Sequence, residues 1–236
     1  MKLGRFYGVG IGPGDPELMT LKALKILNSV DVICAPRSGE DKESIALSIT
    51  KKYVKKDLEI IEPVFPMTKD VKKLERHWGH AVEQIFSELK EGKNTAFITV
   101  GDPLFYSTYI QVLKKMKEKH PEVETKTVSG VTSLSACMAE LNLPIVERDE
   151  RIAILPAAYG LVELKNLAKI FDAIVLMKVS RSFDKIVQSL DKAGLKEKAI
   201  FVSRCGTKDF FSSDLDSMLG KEIDYLSMII IKGRIK

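Results

Sequence analysis

Apolar residues occur along the chain in short continuous runs that alternate with longer stretches in which they recur every three or four positions. The continuous runs predict buried strands, and the helical spacing predicts amphipathic helices. We predict strands over 6–10, 31–36, 58–65, 95–100, 123–128, 152–155, 173–179, 199–203 and 228–231. We predict helices over 18–27, 77–92 (with an apolar face that extends back to Val71), 106–119, 161–171 and 183–192.

Strands that alternate with helices are typical of an α/β protein, in which helices cover mostly parallel sheets. About ten strands are too many for one sheet, which favours two α/β domains. We place their boundary near His120, so that the domains span 1–120 and 121–236. Ligands of such sheets bind beyond the carboxyl ends of the strands. This rule directs attention to four loops, at 10–16, 101–106, 129–133 and 203–207.

Composition and charge disfavour several classes of function. The 236 residues carry a formal net charge of only +5, spread along the chain, which does not favour binding to nucleic acid. No apolar run is long enough for a membrane span, and the first residues lack the features of a signal peptide. The three cysteines are widely spaced without a CxxC pair, which disfavours a disulfide framework or a cysteine-rich zinc site and favours the reducing cytoplasm.

The candidate ligand-binding residues lie in these loops. The segment 8–16, GVGIGPGDP, is not a dinucleotide fingerprint, because Pro13 or Asp15 occupies the third glycine position. It is either a ligand loop or a tight turn between strand and helix. Asp102 in the second loop is either a helix cap or an acceptor of hydrogen bonds from a ligand. Thr132 in the third loop is either an N-cap or a ligand contact. No third ligand joins His77 and His80, so we predict no metal site.

The three loops, GVGIGPGDPELMT at 8–20, GDPLFYST at 101–108 and SGVTS at 129–133, resemble in order and spacing those of the tetrapyrrole methylase family. The resemblance covers essentially the whole chain. Together with VICAPR at 32–37 and LPIVERDER at 143–151, these segments are most similar to the branch that methylates C-20 of precorrin-2 or cobalt-factor II. Uroporphyrinogen methylases usually carry Gly-Gly-Asp-Pro, and Val100 replaces the first glycine here.

This resemblance implies a methyltransferase of cobalamin biosynthesis that uses S-adenosylmethionine and releases S-adenosylhomocysteine. It also implies a homodimer with the cofactor in a trough between the two domains. Matching the family's motifs residue by residue places the cofactor contacts at Pro13, Gly101, Asp102, Leu104, Thr132, Ser133, Met177, Arg204, Cys205 and Met228.

In the implied reaction, the main task of the protein is to align the two reactants. The methyl sulfonium is already an electrophile and the macrocycle carbon is the nucleophile, so the site must hold them in line. A base could remove the proton from C-20, and Asp15 is the candidate. The macrocycle carries many carboxylates, for which we select Arg37, Arg148 and Arg181 as partners. Each of these arginines could instead form a surface ion pair.

Three hypotheses about the function stay open at this point. The first is the C-20 methyltransferase, with either metal-free precorrin-2 or cobalt-factor II as substrate and any cobalt carried by the substrate. The second is another enzyme of the family, such as a C-11, C-17 or uroporphyrinogen methylase, or a diphthine synthase that acts on a protein. The third is a non-catalytic nucleotide-binding module with the same fold, since fold does not fix function.

Overall fold

The computed structural model describes residues 2–55, 57–68, 70–157 and 164–233. Its contacts divide the chain into two units, Met1–Ser133 and Leu134–Lys236. The division falls after Ser133 rather than after His120, because the strand Thr125–Val128 pairs with Phe6–Gly10 in the first sheet. Each unit contains one five-stranded sheet. The α/β class predicted from the pattern is confirmed.

The sheet of the first unit is entirely parallel, where the sequence predicts mostly parallel strands. Its strands are β1 Phe6–Gly10, β2 Val32–Cys34, β3 Glu59–Ile61, β4 Thr95–Thr99 and β5 Thr125–Val128. They lie in the order β3-β2-β4-β1-β5, and every neighbouring pair is parallel. Because β1 lies between β4 and β5, the carboxyl ends of these three strands meet at one edge of the sheet.

Helices cover both faces of this sheet because successive strand residues point to opposite sides. The helices are α1 Leu21–Leu27, α2 Ile45–Thr50, α3 Val71–Lys90 and α4 Tyr109–Lys119. Phe6 packs with α3 and α4, whereas the next residue, Tyr7, packs in a cluster that contains residues of α1 and α2. α3 begins where the carboxylate of Asp70 accepts a hydrogen bond from the N–H of Lys73 at 3.1 Å.

The sheet of the second unit is mixed. Its strands are β6 Ile152–Pro156, β7 Ala173–Met177, β8 Ala199–Ser203, β9 Phe211–Ser213 and β10 Ser227–Lys232. They lie in the order β6-β7-β10-β8-β9, in which only β6 and β7 are parallel neighbours. β10 runs antiparallel between β7 and β8. The carboxyl ends of β7 and β8 and the amino end of β10 therefore share one edge, which we call the β7–β8 edge.

The described α-helices of the second unit are α5 Ser133–Leu141, whose first residue ends the first unit, α6 Leu164–Leu167 and α7 Phe183–Ala193. The helix predicted over 161–171 begins outside the described residues, and α6 is its described helical part. The apolar stripe of α7 packs on one face of the sheet, and α5 packs on the other through Cys137. α2 and β9, which span only six and three residues, were not predicted.

The structure pairs Cys137 of α5 with Cys205, which follows β8, as a disulfide with a Cα–Cα distance of 4.8 Å. This pairing contradicts the expectation drawn from the number and spacing of the cysteines. The two residues are 68 positions apart and meet only because α5 packs on the sheet that contains β8. Sequence spacing does not reveal a pairing that the tertiary fold creates. Cys34 is a free, buried thiol.

Within the described ranges, we find no helix that combines the length and the apolar character needed to cross a membrane.

Candidate functional site

Three glycines bring the loops after β1, β4 and β5 into direct backbone contact. A Cβ atom on Gly10 would lie 2.5 Å from the carbonyl oxygen of Gly101, and a Cβ atom on Gly130 would lie 2.1 Å from the same oxygen. The N–H of Gly101 also donates a hydrogen bond to the carbonyl of Gly12 at 2.8 Å. Only residues without a side chain allow this approach, so the predicted loops form one compact assembly.

Gly101 has the features of a backbone position that a ligand can approach. It is buried and has a φ of 75°, yet apart from Gly101 and its two chain neighbours no residue has a heavy atom within 4 Å of the position that a Cβ would occupy. The backbone therefore borders open space. This arrangement fits a small organic cofactor bound against main-chain atoms.

Asp102 connects the second loop to the third. Its Oδ1 accepts a hydrogen bond from the N–H of Leu104 at 2.9 Å, and its Oδ2 accepts one from the N–H of Gly130 at 3.0 Å. The carboxylate thus connects two loops, a structural role that neither interpretation of the sequence included. It retains further lone pairs that can accept hydrogen bonds from a ligand.

The other predicted residues of the first unit surround this assembly. Pro13 in the first loop is buried, and Leu104 in the second loop is 55% exposed. Thr132 and Ser133 are half-buried, and α5 begins at Ser133. The structure therefore places the predicted contacts of the first three loops on adjoining backbone at the ends of β1, β4 and β5.

Asp15 acts as a helix cap in the structure. Its side chain accepts a hydrogen bond from the N–H of Glu17 at 2.8 Å and begins the short 3-10 helix Pro16–Leu18. The cap fixes the end of the first loop. A role as the base stays a prediction.

The second unit brings the remaining predicted cofactor contacts together at the β7–β8 edge. Met177 and Met228 are directly paired across β7 and β10, and the hydroxyl of Ser227 donates to that of Ser203 at 3.0 Å. Arg204 and Cys205 follow β8 at this edge. Four residues from three separate segments, Met177, Arg204, Cys205 and Met228, thus occupy one end of the sheet.

Arg204 is held in place by two carboxylates. Its guanidinium forms ion pairs with Asp224 at 2.8 Å and with Asp209 at 3.4 Å. The hydrogen bond to Asp224 is the main reason that the pKa of Arg204 is raised above its ordinary value. The backbone of Arg204 is left-handed, with a φ of 53°. This side chain is therefore oriented by the protein.

The three arginines proposed as substrate contacts occupy different places. Arg37 follows β2 and donates a hydrogen bond to the carbonyl of Glu40 at 2.8 Å. Arg181 lies in a 3-10 turn after β7, near the phenol of Tyr225. Arg148 precedes β6 at the amino end of the strands, in an open pocket of about 500 Å³. The structure does not bring Arg148 to the edge where Met177 lies.

The end of β7 differs from the end of the predicted strand. The apolar run predicts a strand that continues to residue 179, whereas β7 ends at Met177 and Lys178 adopts a left-handed conformation with a φ of 60°. Within an apolar run, hydropathy does not distinguish a residue inside a strand from a residue that ends it.

In the described part of the chain, no group of three His, Cys, Asp or Glu side chains is arranged to hold a metal ion.

Comparison with known proteins assigns the family. The model of the Tetrapyrrole (Corrin/Porphyrin) Methylases matches residues 5–216. The chain belongs to this family.

Two relatives match nearly the whole chain. The probable cobalt-precorrin-2 C(20)-methyltransferase of Methanocaldococcus jannaschii is 41% identical over 234 residues, which are 97% of this chain and 96% of that protein. The precorrin-2 C(20)-methyltransferase of a Sinorhizobium species is 30% identical over 243 residues, with coverages of 98% and 96%.

A solved structure confirms the fold. The cobalt precorrin-4 methyltransferase CbiF superposes with a TM-score of 0.75 at 24% identity, covering 97% of this chain and 94% of that one.

Proposed function

We propose that this protein transfers a methyl group from S-adenosylmethionine to C-20 of precorrin-2 or cobalt-factor II in cobalamin biosynthesis. The observation that carries this proposal is the 41% identity to a C(20)-methyltransferase over 97% of the chain. A match of this extent includes both units and all the loops described above. The proposal therefore concerns the whole chain and not a shared domain alone.

The proposed cofactor contacts are those at the strand ends: Pro13, Gly101, Asp102, Leu104, Thr132 and Ser133 in the first unit, and Met177, Arg204, Cys205 and Met228 in the second. The open space beside Gly101 supports the first group, and the shared β7–β8 edge supports the second. S-adenosylmethionine, when bound, supplies an electrophilic methyl group on a sulfonium.

The residues of this chain then have to position and shield the reactants. Asp102 holds the second and third loops in one arrangement, which preorganises the backbone around the open space. Leu104 presents an exposed apolar side chain from the second loop, which can exclude water when a ligand covers it. The proton that leaves C-20 needs an acceptor, and Asp15 remains our proposed base.

The substrate and the assembly complete the proposal. Arg37 and Arg181 are proposed to pair with carboxylates of the macrocycle, because guanidinium and carboxylate form two parallel hydrogen bonds. Arg148 was proposed with them, and its place at the opposite end of β6 makes it the weakest of the three. We propose a homodimer in the cytoplasm, as the family resemblance implies.

An anaerobic assay with methyl-labelled S-adenosylmethionine tests the proposal. Precorrin-2 and cobalt-factor II are offered in parallel, and the product is analysed by mass and by the position of the label. Label at C-20 from one substrate supports the proposal and selects between the two substrates. Label at another carbon would assign the protein to a different branch of the family. A wild-type protein that binds S-adenosylmethionine but methylates neither substrate would overturn the proposed function.

A further inference from the structure

The carboxylate of Asp224 joins the loop that follows β8 to the segment that precedes β10. Its Oδ2 accepts hydrogen bonds from the Nε and the Nη2 of Arg204, at 3.0 and 2.8 Å. Its Oδ1 accepts a third bond, from the N–H of Leu226 at 2.7 Å. Both oxygens of this carboxylate therefore bind groups at the β7–β8 edge.

Arg204 contacts the same segment through its main chain. Its N–H donates a hydrogen bond to the carbonyl of Leu226 at 2.8 Å, which continues the pairing of β8 with β10 one residue beyond Ser203 and Ser227. The side chain and the backbone of Arg204 are thus bound to positions two residues apart. These bonds hold a residue with a φ of 53°, a conformation that persists only where the surroundings enforce it.

The ion pair between Arg204 and Asp224 is poorly placed to stabilise the fold. Their side chains are 47% and 30% exposed, and exposed ion pairs contribute little to stability. The other carboxylate near Arg204, that of Asp209, lies further away, at 3.4 Å from Nη1. Asp224 is therefore the main group that orients the guanidinium, and orientation is the effect for which this arrangement is suited.

The residue that Asp224 orients is a proposed ligand contact. Arg204 and the next residue, Cys205, are two of the cofactor contacts proposed above. A guanidinium has five N–H donors, and within the described residues three of those on Arg204 are used, two by Asp224 and one by Asp209. The other two lie on a half-exposed side chain and can donate to a bound ligand.

We propose that Asp224 is a positioning residue of the cofactor site. It holds Arg204 and the loop that contains Cys205 in the arrangement that binds S-adenosylmethionine. This inference rests on the proposed function and adds to it a residue that neither the loop motifs nor the comparisons assign. Asp224 acts through Arg204 and not by its own contact with the ligand.

Asp224→Asn tests this role with little change of shape. Its amide oxygen can still accept the bond from Leu226, but the negative charge that faces Arg204 is lost. Asp216→Asn is the matched control, because Asp216 forms an exposed ion pair with Lys196 at 2.9 Å, at the opposite end of β8. Arg204→Gln and the double variant of Arg204→Gln with Asp224→Asn complete the set. Each protein is measured for S-adenosylmethionine affinity by calorimetry and for thermal unfolding.

Asp224→Asn should weaken S-adenosylmethionine binding about tenfold, whereas Asp216→Asn should stay within about threefold of wild type. Both variants should unfold close to the temperature of the wild type, because both ion pairs are exposed. In protein that already carries Arg204→Gln, Asp224→Asn should change the affinity by less than about twofold, because its effect requires the guanidinium. An aspartate with a merely structural role would weaken binding by the same factor with and without Arg204.

Normal affinity in Asp224→Asn or in Arg204→Gln would overturn the inference, as would an equal loss with and without Arg204. Tighter binding by Asp224→Asn would also overturn it, because Asp224 would then compete with the ligand for Arg204. Failure of the proposed function would look different, since the wild-type protein would then methylate neither tetrapyrrole while the affinities still decide the role of Asp224. A wild-type protein with no affinity for S-adenosylmethionine would overturn both.

Discussion

The carboxylate of Asp102 accepts a hydrogen bond from the backbone N–H of Gly130, 28 residues further along the chain, at 3.0 Å. The same carboxylate accepts a second bond from the N–H of Leu104 at 2.9 Å. One side chain thereby connects the loop after β4 with the loop after β5. The geometry of the proposed cofactor site depends on this connection.

Replacing Asp102 with Ala should weaken S-adenosylmethionine binding at least about tenfold and lower the free energy of unfolding by about 1–3 kcal/mol, because two backbone donors lose their acceptor. Calorimetry and urea denaturation measure the two effects. Unfolding should stay cooperative, since the side chain is outside the apolar cores.

Asp102→Asn is the matched variant for this test. Its amide oxygen can accept one of the two bonds, whereas its NH₂ group meets the other donor, so we expect intermediate affinity and stability. An Ala variant with wild-type affinity would show that the connection between the loops is unimportant for the cofactor.

A second prediction follows from the close approach of the loops and concerns Gly130. An added Cβ would lie 2.1 Å from the carbonyl oxygen of Gly101, which is backbone and cannot rotate away. Gly130→Ala should therefore destabilise the protein by at least about 2 kcal/mol, as measured by urea denaturation. Binding of S-adenosylmethionine should weaken with it, because the two loops must separate.

Gly79→Ala is the control for this substitution. Gly79 lies within α3, and an added Cβ would meet only the Nζ of Lys119, at 4.0 Å. This change should stabilise the protein by about 0.5–1 kcal/mol, because alanine favours helix. Equal effects at the two glycines would contradict the packing described for Gly130.

The local pattern of apolar and polar residues was sufficient to predict most of the strands and helices and the loops at their ends. The strand Phe6–Gly10 and the helix around Ile85 follow from apolar spacing alone, and the rule for parallel strands located the loops at Asp102 and Thr132. These features depend on residues close together in the sequence. The single-sequence pattern therefore contains them.

The features that were missed depend on tertiary contacts. Cys137 meets Cys205 only through the packing of α5 on the second sheet, and Arg148 lies far from Met177 only because β6 and β7 are parallel. The strand β7 ends at Met177, two residues before the end of the predicted strand 173–179, because backbone conformation rather than hydropathy sets the end. No local pattern contains this information.

The pairing of Cys137 with Cys205 predicts a specific count of reactive thiols. Protein unfolded without a reductant should react with a thiol reagent at one cysteine per chain, and protein reduced first should react at three. The native protein should react slowly, because Cys34 is buried and burial raises the pKa of its thiol.

A Cys34→Ser variant provides the control, since it should show no free thiol when unfolded without reductant. Three thiols in unreduced wild-type protein would refute the pairing. Methyl transfer needs no thiol in the proposed reaction, so single Ser or Ala variants at the three cysteines should retain turnover. Complete loss of activity in a folded variant would point to a thiol mechanism.

The last prediction concerns Tyr109, which begins α4 and packs against β1 at Gly8. Its side chain is fully buried, its ring occupies the space where a Cβ of Gly8 would lie, and its hydroxyl is 3.1 Å from the Oγ1 of Thr127. Tyr109→Phe removes this hydrogen bond and leaves the Thr127 hydroxyl without its partner. At pH 8 the variant should be less stable than wild type by about 1 kcal/mol.

This difference should shrink at high pH. Burial raises the pKa of Tyr109 above its ordinary value of about 10, so the unfolded chain loses this proton before the folded protein does. The stability from the neutral phenol is fully present below pH 10 and is lost by up to about 1.4 kcal/mol per pH unit above it. Urea denaturation of both proteins between pH 8 and pH 11 measures the effect. A difference that stays constant over this range would show that Tyr109 ionises equally easily in the folded and the unfolded protein.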